Sequence, residues 1–216
     1  MELWLDTVEI DSIRKAHQLE VLDGVTTNPT LLSQIKGPIE PHLQEILNAQ
    51  ESPLAIQVTS SNFLEEAKAL YRFSSRIIPK VPATAEGYAA IRELSEAGIP
   101  VMATAIFEPQ QLYLALKLGA TYAAFYYGRI EDAGKDPIYL LKCAKRFKSN
   151  EGFDGKLLAA GIRTLEQFTQ VALEGCDAIT LPSKVFQDLL STPSNAKKTL
   201  KEMIPGDYQF ELRELA

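Results

Sequence analysis

Residues Leu54–Val81 read LAIQVTSSNFLEEAKALYRFSSRIIPKV, and the order of patterns inside them decides the fold. Leu54 to Val58 is a short β-rich run, and Arg76 to Val81 is another. Between them Leu64, Ala67, Leu70 and Tyr71 recur three and four residues apart, the spacing of one helix face. Strand, helix and strand in this succession make the two strands parallel, because parallel neighbours need a crossover and a helix is the usual one. The same alternation runs outward in both directions. Further candidate strands lie at Leu3 to Leu5, Gly24 to Thr27, Pro100 to Thr104, Thr121 to Tyr127, Lys156 to Ala160 and Asp177 to Leu181, with helical spacings such as Ile10, Ile13, Ala16 and Leu112, Leu116, Leu118. Eight units over 216 residues average 27 residues each. That repeat predicts a (β/α)₈ TIM barrel, with an open doubly wound sheet as the alternative.

Gly98, Gly119, Gly155 and Gly175 precede the fifth to eighth strands, where glycines that end helices are expected. No Pro/Gly/Ser-rich linker divides the chain, so residues 1–191 are read as one barrel domain. Residues 192–216 form a C-terminal extension. Its apolar residues Met203, Ile204, Tyr208, Phe210, Leu212 and Leu215 suit a surface helix or a subunit contact.

Hydrophobic residues make up 46% and charged residues 23%, the composition of a chain that buries a real core. Lys plus Arg number 22 against 28 Asp plus Glu, a net charge of −6. That balance leaves no basic surplus for a nucleic-acid backbone or an anionic membrane, so neither is expected as a partner. Cys143 and Cys176 have no metal-ligand spacing and are read as reduced, buried small residues. The start, MELWLDTVEID, carries acids where a signal peptide needs basic and then apolar residues, and no apolar run reaches membrane-spanning length. A cytoplasmic protein is expected.

In a parallel barrel the active site forms at the carboxyl ends of the strands. Polar residues there include Asp6, Thr26, Thr27, Asn28, Gln57, Lys80, Thr104, Tyr126, Arg129, Arg163, Thr180 and Ser183. Lys80 stands apart, because Ile77-Ile78-Pro79-Lys80-Val81-Pro82 surrounds an ammonium with apolar neighbours. Burial lowers a lysine pKa, and the neutral amine is the nucleophile that forms a Schiff base with a carbonyl. Its other reading is a lysine snorkelling from a strand end or paired with an acid across the barrel. Pro79 beside it removes a ladder donor from a central strand. Asp6 either relays a proton near Lys80 or caps the first helix. Arg129 and Arg163 follow neighbouring strands and could clamp a phosphate, or each could make a surface ion pair. His17 and His42 fall in helical stretches without ligand spacing, and no metal site is expected.

Four segments together resemble the small transaldolase and fructose-6-phosphate aldolase family: Leu3 to Thr7, the GVTTNP motif from Gly24 to Thr30, the KVPxTxEG motif from Lys80 to Gly87, and Ala178 to Pro182. The resemblance covers Met1 to about Ser191. It implies a (β/α)₈ class I aldolase that uses no metal or cofactor. It also implies that Lys80 is the Schiff-base lysine, that Asp6 and Asn28 contact substrate hydroxyls, with Asp6 also moving protons, and that Thr26 and Ala124 line the pocket. Gln57, Thr104 and Tyr126 match the positions around a proton-shuttling water. Transaldolases carry glutamate and phenylalanine in place of Gln57 and Tyr126, whereas fructose-6-phosphate aldolases carry glutamine and tyrosine. On that likeness the expected reaction is cleavage of fructose 6-phosphate to dihydroxyacetone and glyceraldehyde 3-phosphate, or the reverse addition. Transfer of the dihydroxyacetone unit between sugar phosphates is the alternative, and a non-covalent sugar-phosphate isomerase or binding protein is a third. Arg129 and Arg163 match the family's phosphate site, while Gly161 stands where the family has a serine. The family's C-terminal helix reaches a neighbouring subunit, and its rings of five stack into decamers. A homo-oligomer is therefore expected.

Overall fold

The computed structural model describes residues 1–203. In chain order the elements are β1 (Glu2–Asp6), α1 (Ile10–Gln18), β2 (Gly24–Thr26), α2 (Pro29–Leu32), α3 (Ile39–Ala49), β3 (Leu54–Gln57), α4 (Phe63–Phe73), β4 (Ile77–Pro82), α5 (Ala85–Glu96) and β5 (Met102–Ile106). They continue with α6 (Pro109–Lys117), β6 (Tyr122–Tyr126), α7 (Tyr127–Asp132), α8 (Pro137–Glu151), β7 (Lys156–Ala160), α9 (Leu165–Glu174), β8 (Ala178–Pro182), α10 (Ser183–Leu190) and α11 (Ser194–Met203). All eight strands pair in parallel, each with its sequence neighbours, and β8 closes onto β1. The open-sheet alternative is thereby excluded, and the (β/α)₈ barrel stands.

Side chains along a strand alternate between the barrel interior and the helix-covered outside. Trp4, Ala55, Ile78, Met102, Tyr122, Ala124, Leu158 and Ala178 make one buried inner cluster. The opposite parity, including Leu5, Val25, Leu54, Ile77, Val81 and Phe125, joins the outer core beneath the helices. Two residues further along from inner positions come Asp6, Gln57, Lys80, Thr104, Tyr126 and Thr180. The barrel thus carries an apolar floor and a polar rim by strand parity alone.

The opposite mouth is plugged. The indoles and phenols of Trp4 and Tyr122 meet edge-on at 5.1 Å, and both donate to Glu2 Oε2 at 3.0 Å. Lys156 pairs with the same carboxylate. Gly24 leaves room for the indole, since a Cβ there would lie 2.4 Å from Trp4 Cε3. We expect Trp4→Ala to destabilise the fold by about 3–5 kcal/mol, the range for large aromatic deletions in cores. A lower urea midpoint at constant slope reads this out, whereas an unchanged midpoint would show that Trp4 does not hold the floor.

Gly98, Gly119 and Gly175 do have left-handed backbones at or beside helix ends. Gly155 does not: α8 ends three residues earlier on left-handed Gly152. Gly155 is a close-approach glycine, because a Cβ would sit 2.3 Å from the Ala120 carbonyl oxygen. Pro79 is accommodated because the ladder between β4 and β5 starts only at Lys80↔Met102. Pro79 pairs in register with Ile56 on the β3 side, where the Lys80 carbonyl accepts from Val58 N. Cys176 is buried and its thiol is pushed up to about 12 by burial. Cys143, by contrast, is half-buried on α8. No helix among the described residues is long and apolar enough to cross a membrane. In the extension, α11 exposes Leu200 and Met203, and the apolar positions Ile204, Tyr208, Phe210, Leu212 and Leu215 lie outside the described residues.

Candidate active site

Lys80 ends its run on the inner face of β4, directly above Ile78, so strand parity drives its stem into the barrel. It is 5% exposed. Its Nζ donates to the Thr27 carbonyl at 2.7 Å, reaching across β3 to the end of β2. Burial lowers its pKa from the ordinary lysine value, and the Asp6 carboxylate opposes that only in part. A side chain snorkelling to solvent is therefore not what β4 presents. Asp6 and Lys80 influence each other across the rim, but the amine's direct hydrogen bond goes to a neutral carbonyl.

Asp6 does not cap α1, whose N-cap is Glu9. Its Oδ1 accepts from the Thr26 hydroxyl at 2.9 Å. Thr26 Oγ1 also lies 2.8 Å from Thr180 Oγ1. A hydroxyl has one proton, so with Thr26 donating to Asp6, Thr180 donates to Thr26. Burial raises the Asp6 pKa, and the Lys80 charge together with hydrogen bonds from Thr26 and Asn28 pulls it back without cancelling the rise. Asn28 also N-caps α2, its Oδ1 accepting from Leu31 N at 3.0 Å, which fixes the amide beside Asp6. A rim acid and a rim amine, each pushed toward its neutral form by burial, thus stand at one mouth of the barrel.

Opposite them, Thr104 Oγ1 and Tyr126 OH are 3.1 Å apart. The Tyr126 ring meets Phe107 edge-on at 5.4 Å, and the Arg129 guanidinium lies 6.0 Å over its face. Gln57 stands in register with Lys80. Ala124 is buried in the inner cluster just below Tyr126.

The two arginines arrive differently from the expected open clamp. Arg163 makes a two-pronged ion pair with Asp132, at 2.7 and 2.6 Å. Hydrogen bonding from Arg163, with the charge of Arg129 adding to it, lowers the Asp132 pKa. Arg163 is thus already engaged by a carboxylate at an exposed edge, while Arg129 lies over the Tyr126 ring. Gly161 has φ of +73°, a left-handed backbone where a serine would be strained. Gly128 lies against it: a Cβ there would come 2.6 Å from the Gly161 carbonyl oxygen. This glycine pair lets the loops after β6 and β7 close together. Gln167 on α9 ties the second loop down, accepting from Arg163 N at 2.7 Å and donating to Glu131 at 2.7 Å.

Sequence reasoning brought forward Lys80, Asp6, Thr26, Asn28, Gln57, Thr104 and Tyr126, and the barrel gathers all of them at one rim. It missed Phe107, Gly128, Asp132 and Gln167. Gly128 and Gln167 offered faint signals, a glycine straight after a strand and a glutamine three residues beyond the cap Thr164. Phe107 and Asp132 offered none.

Residues 3–214 match the family described as Transaldolase/Fructose-6-phosphate aldolase. A probable transaldolase of Coprothermobacter proteolyticus is 39% identical over 192 residues, covering 88% of either chain. One from Clostridium tetani is 37% identical over 196 residues, covering 89% of this chain and 92% of its own. Another from Nitrosopumilus maritimus is 35% identical over 197 residues, 89% of each. With the closed barrel, the buried rim lysine and this near full-length match, the chain belongs to the transaldolase/fructose-6-phosphate aldolase family.

Proposed function

We propose that this enzyme is a class I aldolase that cleaves fructose 6-phosphate to dihydroxyacetone and glyceraldehyde 3-phosphate and runs the reverse addition. The observation that carries the covalent step is Lys80, an amine buried on the inner face of β4 with a lowered pKa. Neutral Nζ attacks the C2 carbonyl, the carbinolamine loses water, and an iminium forms. Asp6 takes the proton from the C4 hydroxyl, the C3–C4 bond breaks, and its electron pair moves to C3 as the iminium becomes an enamine. Glyceraldehyde 3-phosphate leaves. A proton delivered to C3 and addition of water then free dihydroxyacetone and restore the amine. In this reading Asp6 and Asn28 contact substrate hydroxyls, Thr26 and Ala124 line the pocket, and Gln57 and Thr104 hold the water that shuttles protons. Arg129 and Arg163 take the phosphate, with the backbone N–H of Gly161 in place of a serine, and Asp132 yields its partner to it. Residues 192–216 are read as a contact between copies of this chain.

Support for a lyase over a transferase comes from Tyr126. Its hydroxyl beside Thr104 supplies a donor for enamine protonation, and an enamine that is protonated needs no acceptor. Transfer to an acceptor aldehyde is the second reading, favoured by the name transaldolase carried by the relatives. Incubation with fructose 6-phosphate alone, and again with erythrose 4-phosphate, separates the two. Glyceraldehyde 3-phosphate should appear without the acceptor, and Tyr126→Phe should slow that acceptor-free reaction by about 10²-fold while sparing transfer. Product that forms only when the acceptor is present would assign the enzyme to the transferases.

A further inference from the structure

β5 contains an irregularity at the rim. Its register with β6 passes from Ala103↔Ala123 to Ile106↔Phe125, so three steps on β5 span two on β6. The extra residue is Ala105, whose φ of +56° lies in the left-handed region that a residue with a Cβ rarely adopts. The bulge has a clear effect on parity. Without it Ile106 would point into the barrel after Thr104; with it Ile106 joins the outer core and Phe107 turns to meet the ring of Tyr126.

A backbone held in this conformation persists only where its surroundings over-determine it. Here the holding group is one side-chain amide, that of Gln111 in the first turn of α6. Its Oε1 accepts from Phe107 N at 2.9 Å and Glu108 N at 3.1 Å. Its Nε2 donates to the Ala105 carbonyl at 3.3 Å and to the Ala83 carbonyl at 3.1 Å. The orientation is forced, because the flipped amide would set its oxygen against two carbonyls. Both protons and both lone pairs are used. Ala83 follows β4 three residues after Lys80, and its N–H donates to the Thr104 carbonyl at 2.8 Å. One amide therefore ties the strand end carrying Lys80 to the bulge carrying Thr104.

We propose that Gln111 is a positioning residue for proton transfer at the Thr104–Tyr126 pair, acting through the Ala105 bulge and Phe107. This rests on the aldolase reading of the same rim. Half of the amide serves an ordinary end: accepting from the Glu108 N–H is part of a capping box at the start of α6. The other half, donation to Ala105 and Ala83, does nothing for the helix.

Gln111→Glu separates these halves, since a carboxylate keeps both acceptor contacts and loses both donors, presenting negative oxygen to the two carbonyls. The intact enzyme and this variant are compared with fructose 6-phosphate by steady-state cleavage, by borohydride trapping at Lys80, and by thermal melting. We expect kcat to fall about 10-fold or more with KM and the trapping rate within about twofold of the parent, and the loss of both donors to lower the melting temperature while the variant stays folded at the assay temperature. In a Tyr126→Phe background the same change should lower kcat by less than about twofold. An unimpaired Gln111→Glu, trapping that falls as far as kcat, or an undiminished effect in the Tyr126→Phe background would each overturn the assignment. If the parent itself is not trapped at Lys80, the aldolase reading falls and this inference with it; if the parent is trapped and Gln111→Glu is unimpaired, the aldolase reading survives and only this inference is lost.

Discussion

Lys80→Met is expected to reduce cleavage of fructose 6-phosphate by roughly 10⁴-fold or more, the scale seen when a covalent nucleophile is removed. Borohydride added with substrate should label the parent at Lys80 and leave the variant unlabelled, as peptide mass spectrometry would read. Sugar-phosphate binding or isomerisation that stays largely intact in the variant would instead assign the protein to the non-covalent class, with Asp6 as base. The same variant carries a stability prediction of defined sign. Burial holds the Lys80 pKa below its unfolded value, so the folded chain binds fewer protons than the unfolded one. That penalty is full below the folded pKa and disappears as pH rises to the value of an unfolded lysine. Lys80→Met removes it, and the gain in stability over the parent should be largest at and below the folded pKa. Above it the gain should shrink by up to about 1.4 kcal/mol per pH unit. Loss of the donor to the Thr27 carbonyl offsets part of the gain at every pH. Urea midpoints of both proteins across the range from neutral to alkaline pH check the slope, and a pH-independent difference would mean that Lys80 titrates like a solvated lysine.

Asp6→Asn should separate bond cleavage from Schiff-base formation. Asparagine keeps the shape beside Thr26 and Asn28 and cannot take a proton, so kcat should fall by about 10²–10⁴-fold. Lys80 should still be trapped. The Asp6 charge is what holds the amine's pKa up against burial, and without it the acidic limb of the trapping profile should move to lower pH. In the parent, the acidic limb of kcat should lie above the ordinary carboxylate range, because burial raises the Asp6 pKa. A trapping limb that moves to higher pH, or an unchanged kcat, would show that Asp6 and Lys80 do not share the rim as described. Together with Lys80→Met, this gives a covalent step without turnover in one variant and neither in the other.

How far the site could be read from residues alone depended on whether its geometry followed from strand period. Lys80, Asp6, Thr26, Gln57, Thr104 and Tyr126 were legible because each ends a short β-rich run, and a period of two above an apolar inner residue leaves one direction for each side chain. Pro79 beside Lys80 resisted that reading, since its harmlessness depends on where the ladder with β5 begins. The boundaries of β5 were read too early, at Pro100 to Thr104 in place of Met102–Ile106. Nothing local in Ala103-Thr104-Ala105-Ile106 announces a left-handed alanine; the conformation is imposed by Gln111 and by the pairing with β6. Arg129 and Arg163 were placed on adjacent loops correctly, yet the carboxylate that engages Arg163, Asp132, is defined by how α7 packs against the loop after β7.

Taken by itself, the order of residues determined the eight-fold alternation, the parallel sheet, the apolar inner layer and the identity of the buried amine, because hydrophobic period and the cost of burying a charge are local properties of a chain. Tertiary structure alone decided that β8 closes onto β1, that Lys80 donates to Thr27 across a strand, that Thr180 hydrogen-bonds to the hydroxyl that Thr26 turns to Asp6, and that a bulge turns Phe107 toward Tyr126. Each of these is a contact between residues far apart in sequence. It exists only once closure of the barrel has fixed the distances between strand ends, and no segment carries that information on its own.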